Sequence, residues 1–242
     1  IGTIMNKSPF IGGVLLITGT TIGAAILALP TTTGFMGFLP SIPLFLICYA
    51  LMLATGFLFL DISLLLPKSS NLISMADATL GLPGKIVGWS AYLLLLYAVE
   101  TAYIDGSIPL LQNFYSSFSS KVELDRDFYS LLLPLLVVGF LYVGTKGVDL
   151  INRVMVFGLF VSYCALVFFL PSHISTKNLM HMDLSPLLMT IPVVSVAFGY
   201  HIVIPSLVQY CNKDRALLKK VIVIGSFIPL VINLLFQFLS LG

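Results

Sequence analysis

Four ionisable side chains sit inside stretches that otherwise carry none: Asp61, Glu100, Asp105 and His201. Each would lose its hydration there unless it met a partner, a ligand or water. A carboxyl group deprived of water has its pKa raised and can bind a proton near neutral pH, so Glu100 and Asp105 are candidates for reversible protonation. They lie five positions apart in one stretch, about 140° around a helix, and do not form an acid/base dyad. Asp61 is near the end of its stretch, where solvation suffices. His201 could carry a proton, touch a ligand, or serve as a satisfied interior histidine.

Two segments could bind a small polar molecule through their backbone. The first reads Thr18-Gly19-Thr20-Thr21-Ile22-Gly23-Ala24-Ala25-Ile26-Leu27-Ala28-Leu29-Pro30. Gly costs about 1 kcal/mol relative to Ala in a helix, and Thr is a weak helix former, so an interruption is expected around Gly19–Gly23. The competing reading is a packing face, since Gly19-x-x-x-Gly23 lets another helix approach closely. The second segment reads Ala197-Phe198-Gly199-Tyr200-His201-Ile202-Val203-Ile204-Pro205, with Gly199 between Pro192 and Pro205. An interrupted helix frees N–H and C=O groups that hydrocarbon cannot satisfy. A helix N-terminus near Gly23-Ala24 would favour a carboxylate. Free carbonyls near Gly19 and Thr20 would take an ammonium or another cation. A zwitterionic amino acid fits both. Phe198, Tyr200, Tyr97 and Tyr103 could stack on an aromatic side chain, with Phe198 the preferred gate because it adjoins Gly199.

The elements that hold these residues must lie in a bilayer. Hydrophobic residues make up 58% of the 242 positions and charged residues 9%, where a soluble domain has roughly 25% charged. Mean hydropathy is +1.07. Soluble folds, coiled coils and nucleic-acid binders are excluded. Apolar runs at 11–34, 42–66, 86–111, 129–144, 154–170, 186–210 and 221–240 suit helices crossing a core of roughly 30 Å, and they do not alternate as barrel strands do. The fold class is therefore all-α integral membrane, one membrane domain of seven spans, with the fourth and fifth extending into their flanks. Asp61, Glu100 and Asp105 are the only three of 22 charged residues within the runs.

The loops fix an orientation. Lys7, Lys68, Lys85, Lys146, Arg153, Lys213, Arg215, Lys219 and Lys220 fall on one side, and Lys121, Arg126 and Lys177 on the other. The positive-inside rule places the first side, and the N-terminus, in the cytoplasm. Residues 68–85 read as a short loop with at most one interfacial turn. Cys48, Cys164 and Cys211 form no disulfide framework or zinc pattern. His173 and His181 share an outer loop without further ligands, so no metal or cofactor is expected. No phosphate-binding loop or nucleophile elbow occurs, and no enzyme is expected. The chain begins at Ile1 and stops directly after a span, which reads as part of a longer protein.

The two special segments run in opposite directions, five spans apart. A pair of Gly/Pro-interrupted helices in corresponding places of inverted halves points to the central site of a secondary transporter. At this point the residues resemble a known family. Gly19 to Pro30 resembles the first-span signature of bacterial aromatic and hydroxy amino acid permeases, and Phe198 to Leu207 their sixth-span signature. Ala102-Tyr103-Ile104-Asp105-Gly106-Ser107 is similar to their third span, and Val148-Asp149-Leu150-Ile151-Asn152-Arg153-Val154 to the approach to their fifth. The tyrosine/tryptophan-specific members are the nearest likeness. The resemblance implies the LeuT-type fold of the APC superfamily, with a first repeat at about 11–170 and the start of a second at about 186–242. It implies proton-coupled uptake of an aromatic amino acid, tyrosine or tryptophan, across a bacterial inner membrane, with a proton or else sodium as coupling ion. It also implies truncation after the seventh of about eleven spans. The substrate would lie between Gly19, Thr20, Thr21, Gly23 and Ala24 on one side and Phe198, Gly199, Tyr200 and His201 on the other. The rival readings are a transporter of the same fold for serine, threonine or a polyamine, a seven-helix receptor or retinal protein, and an assembly protein with continuous helices.

Overall fold

The computed structural model describes residues 9–25, 28–66, 71–118, 125–142, 145–169 and 175–242. Lys7, Ile26, Leu27, Lys68, Lys121 and His173 lie outside the described residues. The elements are α1 (Pro9–Ala25), α2 (Ala28–Thr33), α3 (Phe38–Leu65), α4 (Leu72–Phe118), α5 (Arg126–Tyr142), α6 (Thr145–Phe169), α7 (Thr176–Leu179), α8 (Leu187–Ala197), a 3₁₀ turn (His201–Val203), α9 (Ile204–Tyr210) and α10 (Arg215–Leu241). Among the described residues, helix lies in every apolar run. Among the described residues, the paths Phe38–Leu65, Leu72–Ser117, Leu187–Tyr210 and Arg215–Leu241 are long and apolar enough to cross a membrane. Pro9–Ile22 and Phe157–Phe169 are shorter apolar helices.

The chain divides into two compact units, Ile1–Gly88 with Leu170–Gly242, and Trp89–Phe169. In the first, α10 packs along α1 and α3, and α8 and α9 lie against α1 and α3. Small residues make the closest approaches. A Cβ on Gly225 would stand 2.9 Å from the Ile17 Cβ, and one on Gly13 would stand 2.8 Å from a Val221 methyl. Gly12 lies directly against the Tyr210 hydroxyl. Thr18 donates a 3.0 Å hydrogen bond to the Gly225 carbonyl, fastening α1 to α10 in a setting without competing water. Gly19, by contrast, has no neighbour within 4 Å of where its Cβ would stand. Gly12 and Gly13 make close approaches in α1, about two turns before Gly19.

The interruption expected at Gly19–Gly23 is not there: α1 runs through both glycines. The threonines explain this locally. Thr20 Oγ1 donates to the Leu16 carbonyl at 2.8 Å and Thr21 Oγ1 to the Ile17 carbonyl at 2.7 Å. Both hydroxyls are satisfied inside the helix, and Ile17 and Thr21 are fully buried against their neighbours. Packing outweighs a propensity cost of about 1 kcal/mol per glycine.

The segment read as a loop before the third span is helical instead. Asn71 and Ser74 cap α4 reciprocally, Ser74 N–H donating to Asn71 Oδ1 at 2.8 Å and Asn71 N–H to Ser74 Oγ at 2.7 Å. Gly81, at φ 66° and ψ −157°, then turns the path within α4, a conformation essentially confined to glycine.

In the second unit α5 packs against α6, and Tyr115 meets Tyr129 edge-on at 6.4 Å. Elsewhere, Gly37 adopts φ 94° with its Cα against the His181 carbonyl. Asp183 N–H donates to the Met36 carbonyl at 3.0 Å, and His181 Nε2 lies 3.3 Å from the Phe35 carbonyl. The Ser185 N–H and hydroxyl both donate to the Asp183 carboxylate and hold it below the usual aspartate range.

Candidate functional site

The helical path α8–α9 is broken at Phe198–Tyr200. Pro205 dictates where. It has no N–H to offer the carbonyl four residues earlier, and its ring would strike that carbonyl; the residue is His201. Pro205 instead sits at the start of α9, where a missing N–H costs nothing. The break is partly self-satisfied. Phe198 N–H donates to Ser195 O, Gly199 N–H to Val196 O, Tyr200 N–H to Phe198 O and Val203 N–H to Tyr200 O, all at 2.9–3.1 Å. Carbonyls at the C-terminal end of α8 carry the negative pole of its dipole.

The break falls between two hydrophobic cores. Phe198 belongs to one, with Leu29, Met36, Leu44, Phe45, Cys48, Val194, Ala197 and Leu230. Tyr200 belongs to the other, with Val14, Ile17, Leu60, Ile204, Leu207, Val221 and Ile222. Two residues along one strap therefore anchor two separate packing centres, and the polar backbone between them lies at their junction.

Three aromatic rings and one hydroxyl surround the strap. Phe198 is fully buried, edge-on to Phe45 at 6.0 Å and to Tyr49 at 5.9 Å. Tyr200 is also fully buried; its hydroxyl donates to the Met52 carbonyl at 3.2 Å and its ring lies on Gly56. His201 stacks on Tyr200 with centroids 5.1 Å apart and meets Phe59 edge-on. His201 Nε2 lies 3.0 Å from Thr55 Oγ1. The Thr55 hydroxyl donates to the Leu51 carbonyl at 2.9 Å, so the oxygen accepts from His201. In that arrangement Nε2 carries a proton and Nδ1 is the ring nitrogen not engaged by Thr55.

Of the predicted site residues, Phe198, Gly199, Tyr200 and His201 are brought together at the break. Gly19, Thr20, Thr21, Gly23 and Ala24 are in the same unit but on a continuous helix, with Thr21 buried and Gly19 exposed. Glu100 and Asp105 belong to the other unit. Glu100 is exposed there and has no ion-pair partner among the described residues. Asp105 pairs with Arg126 at 3.0 Å. Asp61 pairs with Arg215 at 2.7 Å across α3 and α10, both side chains about half exposed. Among the described residues no group of three His, Cys, Asp or Glu is placed to hold a metal ion.

Sequence reasoning missed Thr55, Phe45 and Tyr49 on α3, and Asn233 and Gln237 on α10. The first three follow a spacing of four, three and three from Phe45 to Tyr49, Met52 and Thr55, the signature of one helix face. It was hidden because that span is apolar on nearly all sides, so one face does not stand out.

Several helices long and apolar enough to cross a membrane fit a multi-pass membrane protein. The chain belongs to the tryptophan/tyrosine permease family, which it matches over residues 6–242; it is a transporter-family protein and not an enzyme. It is 31% identical over 242 residues to the tyrosine-specific transport system 2 of Haemophilus influenzae, covering 98% of this chain and 59% of that one. It is 32% identical over 246 residues to the tryptophan-specific transport protein of the same organism, covering 97% and 59%. Glutamine transporter 2 of Aliivibrio fischeri is 28% identical over 243 residues, covering 98% and 62%. The chain thus spans about three-fifths of the length of these curated relatives. No solved structure matches it.

Proposed function

We propose that the protein takes up an aromatic amino acid, tyrosine or tryptophan, across the bacterial cytoplasmic membrane, driven by the proton gradient. The observation that carries this reading is family membership over nearly the whole chain, with transport proteins for tyrosine and tryptophan among its relatives. The strap at Phe198–His201 is consistent with it. An amino acid's ammonium suits the carbonyl end of α8, and its ring suits the wall of Phe45, Tyr49 and Phe198. The opposing wall is the Gly19, Thr20, Gly23 and Ala24 face of α1, with Thr21 behind it. In this reading the fold is of the LeuT type, seven helices cross the membrane, the N-terminus is cytoplasmic, and the spans start two inverted repeats continued by further helices. Glu100 is the preferred proton carrier, because Asp105 is engaged by Arg126. One relative's name favours a second reading, a polar amino acid such as glutamine as substrate.

The test is uptake by the product of the full reading frame, expressed in cells lacking their own aromatic permeases. Labelled tyrosine or tryptophan should accumulate and be lost on adding a protonophore. Accumulation of glutamine alone would select the second reading. Uptake indifferent to the protonophore but dependent on sodium would replace the coupling ion.

A further inference from the structure

Asn233 and Gln237 on α10 are fully buried, and neither carboxamide has a hydrogen-bond partner among the described residues. Two orphaned amides on successive turns of one helix are costly, each losing hydrogen bonds worth about 1–3 kcal/mol without compensation. They are not scattered. Ser226, Leu230, Asn233 and Gln237 follow one another at spacings of four, three and four and are all buried, so they form one stripe on α10.

The direction of that stripe follows from its flanks. Turning about 100° per residue, Asn233 and Gln237 lie about 80–120° around α10 from Gly225, which meets Ile17 of α1, and within about 60° of Leu230, which shares a core with residues of α3 and α8. The stripe begins at Ser226, which is fully buried and donates to the Ile222 carbonyl at 2.7 Å. It passes Leu230, which shares a core with Phe198 and Phe45. Asn233 is one turn beyond, roughly 5 Å along the axis. The amides are therefore buried on the side of α10 that carries Leu230, one and two turns beyond it.

We infer that Asn233 and Gln237 are specificity-determining residues that hydrogen-bond the polar edge of the transported side chain: an indole N–H, a phenol O–H or a carboxamide. The inference rests on the transport reading above. A carboxamide fits because it offers both an acceptor and donors, whereas a cation would use only its oxygen and leave the NH₂ orphaned. Between Ser226 and Gln237 the stripe carries no charged side chain; Arg215 and Lys219 lie on the same face two to three turns before Ser226, so the buried part is matched to a neutral group. An aromatic wall alone holds tyrosine and phenylalanine about equally; the amides would separate them.

The test compares uptake of tyrosine, tryptophan and phenylalanine by the full-length protein and by Asn233→Leu and Gln237→Met, which replace each amide by an apolar group of similar size. KM for tyrosine or tryptophan should rise about three- to tenfold, the worth of one neutral hydrogen bond, while phenylalanine, with no polar edge, is unchanged. Thermal unfolding should show no loss of stability, since removing an orphaned amide costs nothing. If Asn233→Leu does not reach the membrane, Asn233→Gln keeps the carboxamide one methylene further out and should still shift the tyrosine-to-phenylalanine ratio. Equal changes for all three substrates, or none, would overturn the inference and assign the amides to structure or to bound water. Absence of uptake by the unaltered protein would instead count against the transport reading.

Discussion

Thr55 and His201 lie 146 positions apart yet share a 3.0 Å hydrogen bond, and the direction of that bond sets what the histidine can do. With Nε2–H committed to Thr55, only Nδ1 is left to meet a substrate or relay a proton. Thr55→Val keeps the shape and removes the acceptor, so uptake should fall about threefold to tenfold and Thr55→Ser should restore it, measured as initial rates. Close packing makes an equally local demand. At Gly225 an added methyl would stand 2.9 Å from the Ile17 Cβ and 3.3 Å from the Val14 carbonyl, with helix backbone behind both. Gly225→Ala should destabilise the protein by about 1–3 kcal/mol, visible as a lowered melting temperature in detergent.

The helices run through Pro43, Pro134, Pro192 and Pro229, whereas α8 and α9 part at Phe198–Tyr200, just before Pro205 at the start of α9. α1 passes through Gly19 and Gly23, with two threonine hydroxyls bonded within it. Where glycine does decide a turn, positive φ is the reason. Gly81 sits at φ 66° with nothing within 4 Å of its missing side chain. Gly81→Ala there is a test of backbone strain without steric overlap. It should cost about 1–3 kcal/mol in thermal unfolding, with no gain in helix content by circular dichroism.

The whole molecule comprises two compact units rather than one evenly packed bundle, and the strap with its two cores lies entirely in the larger. Orientation is a property of this scale. We propose, from the nine of twelve basic residues on one set of loops, that those loops are cytoplasmic. In intact cells, a cysteine at Lys220 should resist a membrane-impermeant maleimide and one at Asp125 should react. The reverse pattern would invert the topology. Arg215 with Asp61 and Arg126 with Asp105 are exposed pairs, each contributing at most about 1 kcal/mol, so apolar packing carries both units.

The sequence by itself determined that the chain is helical and built for a bilayer, because composition and run length are sums over many residues and tolerate local error. It determined the break near Gly199, because Pro205 acts on a carbonyl only four residues away. Tertiary structure alone decided the rest. Whether Gly19 unwinds depends on what α10 offers α1, whether Asp105 is free depends on Arg126, and Thr55 becomes a partner only once α3 lies against the strap. Asn233 and Gln237 looked like ordinary polar residues in an apolar span. Only the fold turned them inward, where an amide without a partner in a low-dielectric interior calls for a ligand.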